Sequence, residues 1–159
     1  MRNPDLEAAK QRAYRLLSMR SHSEKELAKK LRDKGFPEAV IKEALEKLHD
    51  LKYLNDASFA LQWARNLAVN KLWGNRKIAA GLKEKGIAAD LAAGAITAAR
   101  RELSEDEAIG KLVRKRAGSA DRKTKQRIFT SLLRRGFPAG LILSKLDMIP
   151  EDDTDDKDR

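Results

Sequence analysis

The sequence predicts an all-α fold made of three tandem three-helix repeats, strung into an elongated molecule. One phrase occurs three times along the 159 residues: L-R-D-K-G-F-P at 31–37, L-K-E-K-G-I-A at 82–88 and L-L-R-R-G-F-P at 132–138. The glycines of these phrases are 51 and 50 residues apart, and a period of that size indicates a repeated supersecondary unit. No segment combines sustained apolar–polar alternation with β-branched residues, so no sheet is expected.

Each phrase has the features of a helix end followed by a helix start. A helix leaves its last carbonyl groups unpaired, and a glycine in the left-handed conformation just past the end lets the next N–H groups turn back to them. Pro37 and Pro138 suit the first turn of the following helix, where a missing N–H has no cost. The motif also favours an apolar contact across the turn, which predicts the pairs Leu31–Phe36, Leu82–Ile87 and Leu132–Phe137.

The remaining helix of each unit precedes the phrase. In the first unit it is predicted from about Pro4 to Met19, and a capping box, S-E-K-E at 23–26, starts the second helix. In the second unit Asn55 or Asp56 caps the first helix, and capping is the role that we predict for this pair. In the third unit S-E-D-E at 104–107 is another capping box.

The net charge of +10 is unevenly distributed along these units. The predicted units, 1–53, 54–103 and 104–150, carry +4, +4 and +6, whereas an acidic tail at 151–159 carries −4. A folded body of +14 favours a polyanion or an acidic protein surface as its partner. The tail is expected to be disordered, and two roles for it stay open: it covers the basic surface in the free protein, or it serves solubility.

The densest basic stretch is 111–127, where Asp121 is the one opposing charge. Clustered basic side chains are the usual sign of contact with phosphate, although a solvated helix–loop–helix face gives the same pattern. Further basic residues lie at the first helix corner and beside the Gly74 corner. The candidate binding residues are Arg20, Arg76, Lys77, Lys111, Arg114, Lys115, Arg116, Arg122, Lys123, Lys125 and Arg127.

Motifs for catalysis or metal binding are missing from the sequence. There is no cysteine, and His22 and His49 lie in different helical segments without a ligand motif, so surface or capping positions are expected for them. Neither G-x-x-x-x-G-K-[ST] nor G-x-G-x-x-G occurs. The sequence therefore predicts a protein that is not an enzyme and that needs no cofactor and no metal.

Two further properties follow from the sequence, and the role of one residue, Trp73, stays open. The lack of a signal pattern and of a long apolar run favours a cytoplasmic location, and a monomer is the simplest state. Trp73 lies in the corner before the second helix of the second unit. It is either a core plug or an exposed contact.

Five phrases in order along the chain carry a family resemblance. They are R-S-H-S-E-K-E-L-A-K-K-L at 20–31, K-G-F at 34–36, Y-L-N-D-A-S-F-A at 53–60, G-N-R-K-I at 74–78 and K-G-I at 85–87. Together they resemble the bacterial RecX regulators of the RecA recombinase, over nearly the whole chain except the acidic tail. Two positions depart from that pattern: Asn75 stands where the family often has Pro, and Gly81 stands where Glu is common.

The resemblance implies a curved, elongated array of three-helix repeats that lies in the helical groove of the RecA–DNA filament. There such a protein limits filament growth, and the ATPase, strand-exchange and coprotease activities fall in consequence. The implied setting is homologous recombination, DNA repair and the SOS response. The implied partners are the RecA nucleoprotein filament and, more weakly and without sequence preference, single-stranded DNA.

Two other function classes compete with this reading. A non-specific DNA-binding helical module fits the charge, because a three-helix unit with a tight corner resembles a helix-turn-helix in outline. The third helices, with A-A-D-L-A-A-G at 88–94 and L-I-L at 141–143, offer few polar side chains for reading bases. A plain helical scaffold would explain the repeats but would leave the charge asymmetry unused.

Overall fold

The computed structural model describes residues 3–116 and 120–151 of the chain. These residues form nine α-helices in three groups of three, and their β-structure is limited to a single bridge between Ala120 and Glu151. The predicted all-α fold of tandem three-helix repeats is confirmed. The predicted acidic tail lies, from residue 152 onward, outside the described residues. No helix within the described ranges is both long enough and apolar enough to cross a membrane.

The first unit contains α1–α3, the second α4–α6 and the third α7–α9. A π-helical turn at Asn66–Asn70 extends α4. The helices are α1 (Pro4–Met19), α2 (Glu24–Asp33), α3 (Glu38–Asp50), α4 (Asp56–Arg65), α5 (Asn75–Glu84), α6 (Ala89–Glu102), α7 (Glu105–Arg116), α8 (Arg122–Arg134) and α9 (Ala139–Asp147).

Polar side chains cap the helices where the sequence predicts caps. The Ser23 and Ser104 hydroxyls accept from the N–H groups of Glu26 and Glu107, and the Asn55 side chain accepts from Ser58 N. Such caps satisfy N–H groups that have no partner within the helix. Asp121 caps α8 in the same way, through Thr124 N at 2.7 Å, and was not predicted.

The three glycine corners have the predicted backbone conformation. The φ angles are +95° at Gly35, +78° at Gly86 and +93° at Gly136. The next N–H donates back over the turn in each unit, from Phe36 to Leu31 O, from Ile87 to Leu82 O and from Phe137 to Leu132 O. These bonds define the Schellman motif, so the predicted helix ends are confirmed. The prolines Pro37 and Pro138 occupy the N-cap position of the next helix, one residue earlier than predicted.

Each unit has a hydrophobic core of its own. Leu27, Leu31 and Leu48 are fully buried in the first, Ile78 and Leu82 in the second, and Ile109 and Ile142 in the third. Val69 and Leu72 of the second unit also pack against the third core. The second and third units are therefore joined by apolar packing in addition to polar contacts.

A carboxylate at the start of one unit binds the second helix of the unit before it. Asp56, the first residue of α4, accepts a hydrogen bond at 2.9 Å from the backbone N–H of Glu24, the first residue of α2. Glu105, the first residue of α7, does the same at 3.1 Å for the N–H of Asn75, the first residue of α5. The helix dipole adds to both bonds, because a helix N-terminus attracts negative charge. The sequence suggested a capping role for Asp56. The helix N-terminus that it caps is that of α2, in the preceding unit.

The joint between the second and third units is additionally held by main-chain contacts. Gly74 N donates to Arg135 O at 2.7 Å, and Arg76 N donates to Gly136 O at 3.3 Å. The backbones approach so closely that a Cβ on Gly74 would overlap the carbonyl group of Gly136. Within the second unit, the Arg100 guanidinium binds Asn75 Oδ1 at 2.6 Å and Trp73 O at 2.7 Å, next to these contacts.

The joint between the first and second units relies on side chains. Glu26 Oε2 accepts from Arg20 at 2.6 Å and lies 3.4 Å from Lys85 Nζ, so one carboxylate bridges the two units. Burial alone would raise the pKa of Glu26, but the hydrogen bond and charge of Arg20, with Lys85, hold it below its usual value. Gly86 lies against the side chain of Lys25 in this joint, much as Gly136 lies against Lys77 in the other.

Replacing Asp56 by alanine is expected to lower the free energy of unfolding by about 1–2 kcal/mol, because the Glu24 N–H loses its acceptor at a helix N-terminus. Asp56→Asn keeps an oxygen in that place and is expected to cost less than half as much. Urea unfolding followed by circular dichroism measures both. Equal losses in the two variants would contradict the assigned bond.

His22 departs from the prediction of a surface or capping position, because it is only 2% exposed. Its Nδ1 lies 2.9 Å from the carbonyl oxygen of Arg20, and its Nε2 lies 3.0 Å from Lys30 Nζ. A carbonyl only accepts, so Nδ1 carries the hydrogen and Nε2 accepts from the ammonium group. Burial lowers the pKa of His22 most, and the charges of Arg20 and Lys30 act in the same direction.

This burial predicts a loss of stability in mild acid. The lowered pKa of His22 means that the unfolded chain takes up a proton more readily than the folded one as the pH falls below about 6.5. The free energy of unfolding should therefore fall between pH 6.5 and pH 5, before the depressed pKa of Glu26 matters. Denaturation curves for His22→Gln should show a flatter pH profile in that window. An unchanged profile would exclude His22 as the cause.

Candidate polyanion-binding groove

A groove of about 720 Å³ lies where the second and third units meet. Five of its nine lining residues are basic, and α8 supplies most of the lining. We call it the basic groove and define it by Trp73, Lys77, Lys123, Gln126, Arg127, Thr130, Ser131, Arg134 and Arg135.

The spacing of side chains on α8 creates one wall of the basic groove. Lys123, Arg127 and Arg134 recur at intervals of three to four residues or their multiples, which places them on one face of the helix. Ile128 and Leu132 point into the core from the opposite face, with exposures of 3% and 2%. Amphipathic packing of α8 therefore forces its basic face outward.

Trp73 and Lys77 form the other wall, and they answer the question left open for Trp73. Its ring packs against the core of the second unit and meets Trp63 edge-on, with ring centroids 6.4 Å apart. Lys77 Nζ lies 3.8 Å from the centroid of the Trp73 ring, in a cation–π contact. Trp73 is thus both a core residue and a lining residue.

Arg135 is held in place at the joint. Its Nη1 donates to the carbonyl oxygens of Lys71 at 2.8 Å and Leu72 at 3.4 Å. Leu72 has a φ of +55°, so the chain turns tightly there to present these acceptors. Because Arg135 is fixed by the second unit, the groove keeps its shape only while the two units stay joined.

The composition of the basic groove suits phosphate. Among the described residues that line it none is acidic, and Gln126 and Ser131 add side chains able to donate hydrogen bonds. Arginine forks match phosphate oxygens, and lysine supplies a point charge. Such a surface can hold a polyanion without base-specific reading.

The structure brings three of the candidate residues together in the basic groove: Lys77, Lys123 and Arg127. Lys77 is 46 residues before Lys123 in the chain, so only the packing of α5 near α8 unites them. Arg134, Arg135 and Trp73 were not among the candidates. Their helical spacing from Arg127, or in the case of Trp73 its place beside Lys77, could have indicated them.

The other candidates lie elsewhere. Arg20 and Lys125 are engaged internally, the first with Glu26 and the second with the carbonyl oxygen of Ile149 at 2.8 Å. Arg76 and Arg122 are exposed near the starts of α5 and α8. The remaining four are exposed on α7, so the basic run 111–127 is divided between two helices: Lys111, Arg114, Lys115 and Arg116.

Within the described part of the chain, residues suited to metal binding do not converge. Across 3–116 and 120–151 no three His, Cys, Asp or Glu side chains lie together in a way that could hold an ion.

Comparisons with known proteins agree on one family. Family models described as the first, second and third three-helix domains of RecX match residues 9–48, 55–96 and 104–146. The regulatory protein RecX of Bacillus velezensis is 33% identical over 155 residues, which cover 96% of this chain and 59% of that protein. The regulatory protein RecX of Amycolatopsis mediterranei is 35% identical over 137 residues, which cover 84% of this chain and 78% of that protein.

Solved structures give the same result for the fold. The crystal structure of RecX from Lactobacillus salivarius superposes with a TM-score of 0.78 at 28% identity, covering 91% of this chain and 98% of that one. A second crystal structure, of a regulatory protein RecX, also has a TM-score of 0.78, and its 24% identity supports the fold alone.

Proposed function

Because this chain belongs to the RecX family of regulatory proteins, we propose that it is a non-enzymatic inhibitor of the RecA recombinase. It binds in the groove of the RecA–DNA filament, limits filament growth, and thereby lowers ATP hydrolysis, strand exchange and coprotease activity. It acts as a cytoplasmic monomer. Its working parts are the units 1–53, 54–103 and 104–150.

The basic groove is the observation that carries this proposal. It gathers Lys77, Lys123, Arg127, Arg134 and Arg135 at a joint that two units share. A filament groove presents DNA phosphates beside acidic protein surface, and both attract these five cations. The remaining candidate residues on α7 supply a second point of attachment.

Binding in tandem units explains how a protein without a catalytic centre can inhibit. Units linked in one chain meet successive filament protomers at high effective concentration, so several weak contacts add up to a long-lived complex. A bound array that spans protomers opposes the rearrangements that filament growth requires. The +14 charge of residues 1–150 speeds the encounter and makes binding sensitive to salt.

A second candidate function, non-specific binding of single-stranded DNA, has support from the same groove. Five cations line the groove, and neither a recognition helix nor base-reading side chains are needed for that mode. In this case inhibition would follow from competition for DNA.

One titration separates the two functions. The protein is added to preformed RecA–single-stranded DNA filaments while ATP hydrolysis is followed, with and without an excess of naked single-stranded DNA. Inhibition at substoichiometric protein that resists the competitor supports filament binding. Inhibition that disappears with the competitor supports DNA binding, and a complete lack of inhibition contradicts both.

A further inference from the structure

A second groove lies within the second unit, between α5 and α6. Its volume is about 820 Å³, larger than that of the basic groove, and we call it the apolar groove. Small and aliphatic side chains form its floor: Ala79 from α5, Ile87 from the corner, and Ala92, Ala93 and Ile96 from α6. Concave apolar surfaces of this size are the usual places for a ligand or a partner side chain to bind.

Alanines keep the apolar groove open. Ala79 and Ala93 are exposed, and neither side chain extends beyond Cβ. The 50-residue spacing between Gly86 and Gly136 places Phe129 and Leu143 at the corresponding positions of the third unit. Phe129 packs there against the third core. Large side chains are thus compatible with this helix pair, and the fold does not require alanine at either position.

Two cations lie at the rim of the apolar groove. Arg76 and Lys83 both line it and are exposed, and their spacing on α5 corresponds to about 10.5 Å along the helix axis. None of the described lining residues is acidic. Glu84 and Asp90 adjoin lining residues in the sequence but do not line the groove. The rim is therefore positively charged over an uncharged floor.

The first unit has the corresponding groove, between α2 and α3, with the opposite charge. Its volume is about 510 Å³, and three glutamates outweigh one lysine in its lining: Glu24, Glu38, Glu46 and Lys42. The 51-residue spacing of the repeat makes Arg32 the counterpart of Lys83, and Arg32 is bonded to Glu38. Ala89 stands where Glu38 would recur, so Lys83 lacks the carboxylate partner that the first unit provides.

An apolar floor below two cations suits a protein helix better than nucleic acid. Phosphate and sugar gain little from alanine and isoleucine, and two cations are few beside the five of the basic groove. An extended peptide would turn unpaired N–H and C=O groups toward the floor, and Asn75 Oδ1 at its edge already accepts from Arg100. A helix pairs its own backbone groups and can place an apolar stripe in such a groove.

We propose that the apolar groove docks an acidic amphipathic helix of a partner protein. Aliphatic side chains on one face of that helix cover the floor, and carboxylates about two turns apart on its flank pair with Arg76 and Lys83. The inference goes beyond the proposed function, because it requires neither DNA nor the basic groove. It also gives Arg76 a carboxylate as its partner in place of a phosphate.

Two designed peptides test the chemistry of the partner. Each is a fluorescein-labelled helix of about 16 residues with leucines at i, i+4, i+7 and i+11. One has glutamates at the flanking positions, and the other has lysines there. Fluorescence anisotropy at 50 mM salt should show that the acidic peptide binds at least roughly tenfold more tightly, and 0.5 M salt should reduce the difference. Equal affinities, or no binding of the acidic peptide at millimolar protein, would contradict the proposal.

Variants that fill the groove locate the peptide. Ala79→Phe and Ala93→Leu introduce the residues of the third unit, and each should weaken binding of the acidic peptide roughly tenfold. Helicity by circular dichroism and affinity for labelled oligothymidine should not change. Ala80→Phe is the matched control, because Ala80 is exposed but does not line the groove. Full binding by both filled variants, or an equal loss in the control, would overturn the proposal.

Reversing the rim charges separates docking from attraction by the whole protein. Arg76→Glu and Lys83→Glu together should make the lysine peptide bind more tightly than the acidic one. The net charge falls only from +10 to +6, so the general field still favours the acidic peptide. A preference for the acidic peptide that survives the reversal would therefore assign its binding to the general field and contradict the proposal.

A second copy of the chain is the alternative occupant, and sedimentation velocity of the protein alone tests for it. Self-association that Ala79→Phe abolishes would assign the groove to a second copy and overturn the proposal, whereas a sedimentation coefficient independent of concentration supports it. The peptide assays contain no RecA. A protein that binds the acidic peptide in the groove but does not inhibit RecA filaments would keep this inference and lose the proposed function.

Discussion

Replacing Gly136 by alanine is expected to lower the free energy of unfolding by about 2–5 kcal/mol. The φ of +93° at this position costs a residue with a Cβ about 1–2 kcal/mol. The added methyl group would also lie 2.7 Å from Lys77 Cβ, and such overpacking typically costs about 1–3 kcal/mol more. Because the contact is between units, the substitution should also weaken the joint that shapes the basic groove.

Gly35 provides the matched control for this prediction. Its φ of +95° is nearly the same, but a Cβ there would meet nothing within 4 Å. Gly35→Ala should therefore cost only the conformational share, about 1–2 kcal/mol. Urea unfolding followed by circular dichroism, together with oligonucleotide affinity, measures both variants. If the two variants lose the same stability, the close contact at the joint does not contribute.

Loss of the groove cations should produce the largest functional effect. Lys123→Ala, Arg127→Ala and Arg134→Ala together are expected to reduce affinity for single-stranded DNA about 100-fold at 0.1 M salt. The reason is counterion release: each lost phosphate contact on a single strand lowers the slope of log affinity against log salt by about 0.7, so the slope should fall by about 2. Inhibition of RecA–filament ATP hydrolysis should require correspondingly more protein.

A second triple variant with the same change in charge serves as the comparison. Arg114→Ala, Lys115→Ala and Arg116→Ala remove three exposed cations of α7, which also belong to the sequence-predicted contact set. Far-ultraviolet circular dichroism should show unchanged helicity in both triple variants. If the α7 variant weakens DNA binding more than the groove variant does, the principal contact is α7 and the assignment of the groove fails.

The fold could be predicted because the decisive signals are local. A glycine at a helix end, a leucine five residues before the apolar residue that follows it, and a serine or asparagine at a helix start are all visible within a few positions. Gly35, Ser23 and Asn55 accordingly occupy their predicted positions. The carboxylate of Asp56 could be recognised as a capping group, but the identity of its recipient depends on how two units meet.

The candidate site was less predictable, because it depends on how two units meet. Charge density along the chain pointed to 111–127, yet the groove takes only Lys123 and Arg127 from that run and adds Lys77 from another unit. Asn75 illustrates what family patterns leave out. Its N–H donates to Glu105 and its side chain accepts from Arg100, and a proline, as the family often has there, could supply neither contact.

The glycine corners of the second and third units each rest on the second helix of the preceding unit, Gly86 against Lys25 and Gly136 against Lys77. The corner at Gly35 has the same backbone form, but space for a Cβ is open there. Among the described residues, the Gly35 corner therefore does not make the contact with another unit that Gly86 and Gly136 make. A duplicate of the second unit fused ahead of Pro4 would place its second helix against the Gly35 corner. Arrays with different numbers of units could then be engineered from this single chain.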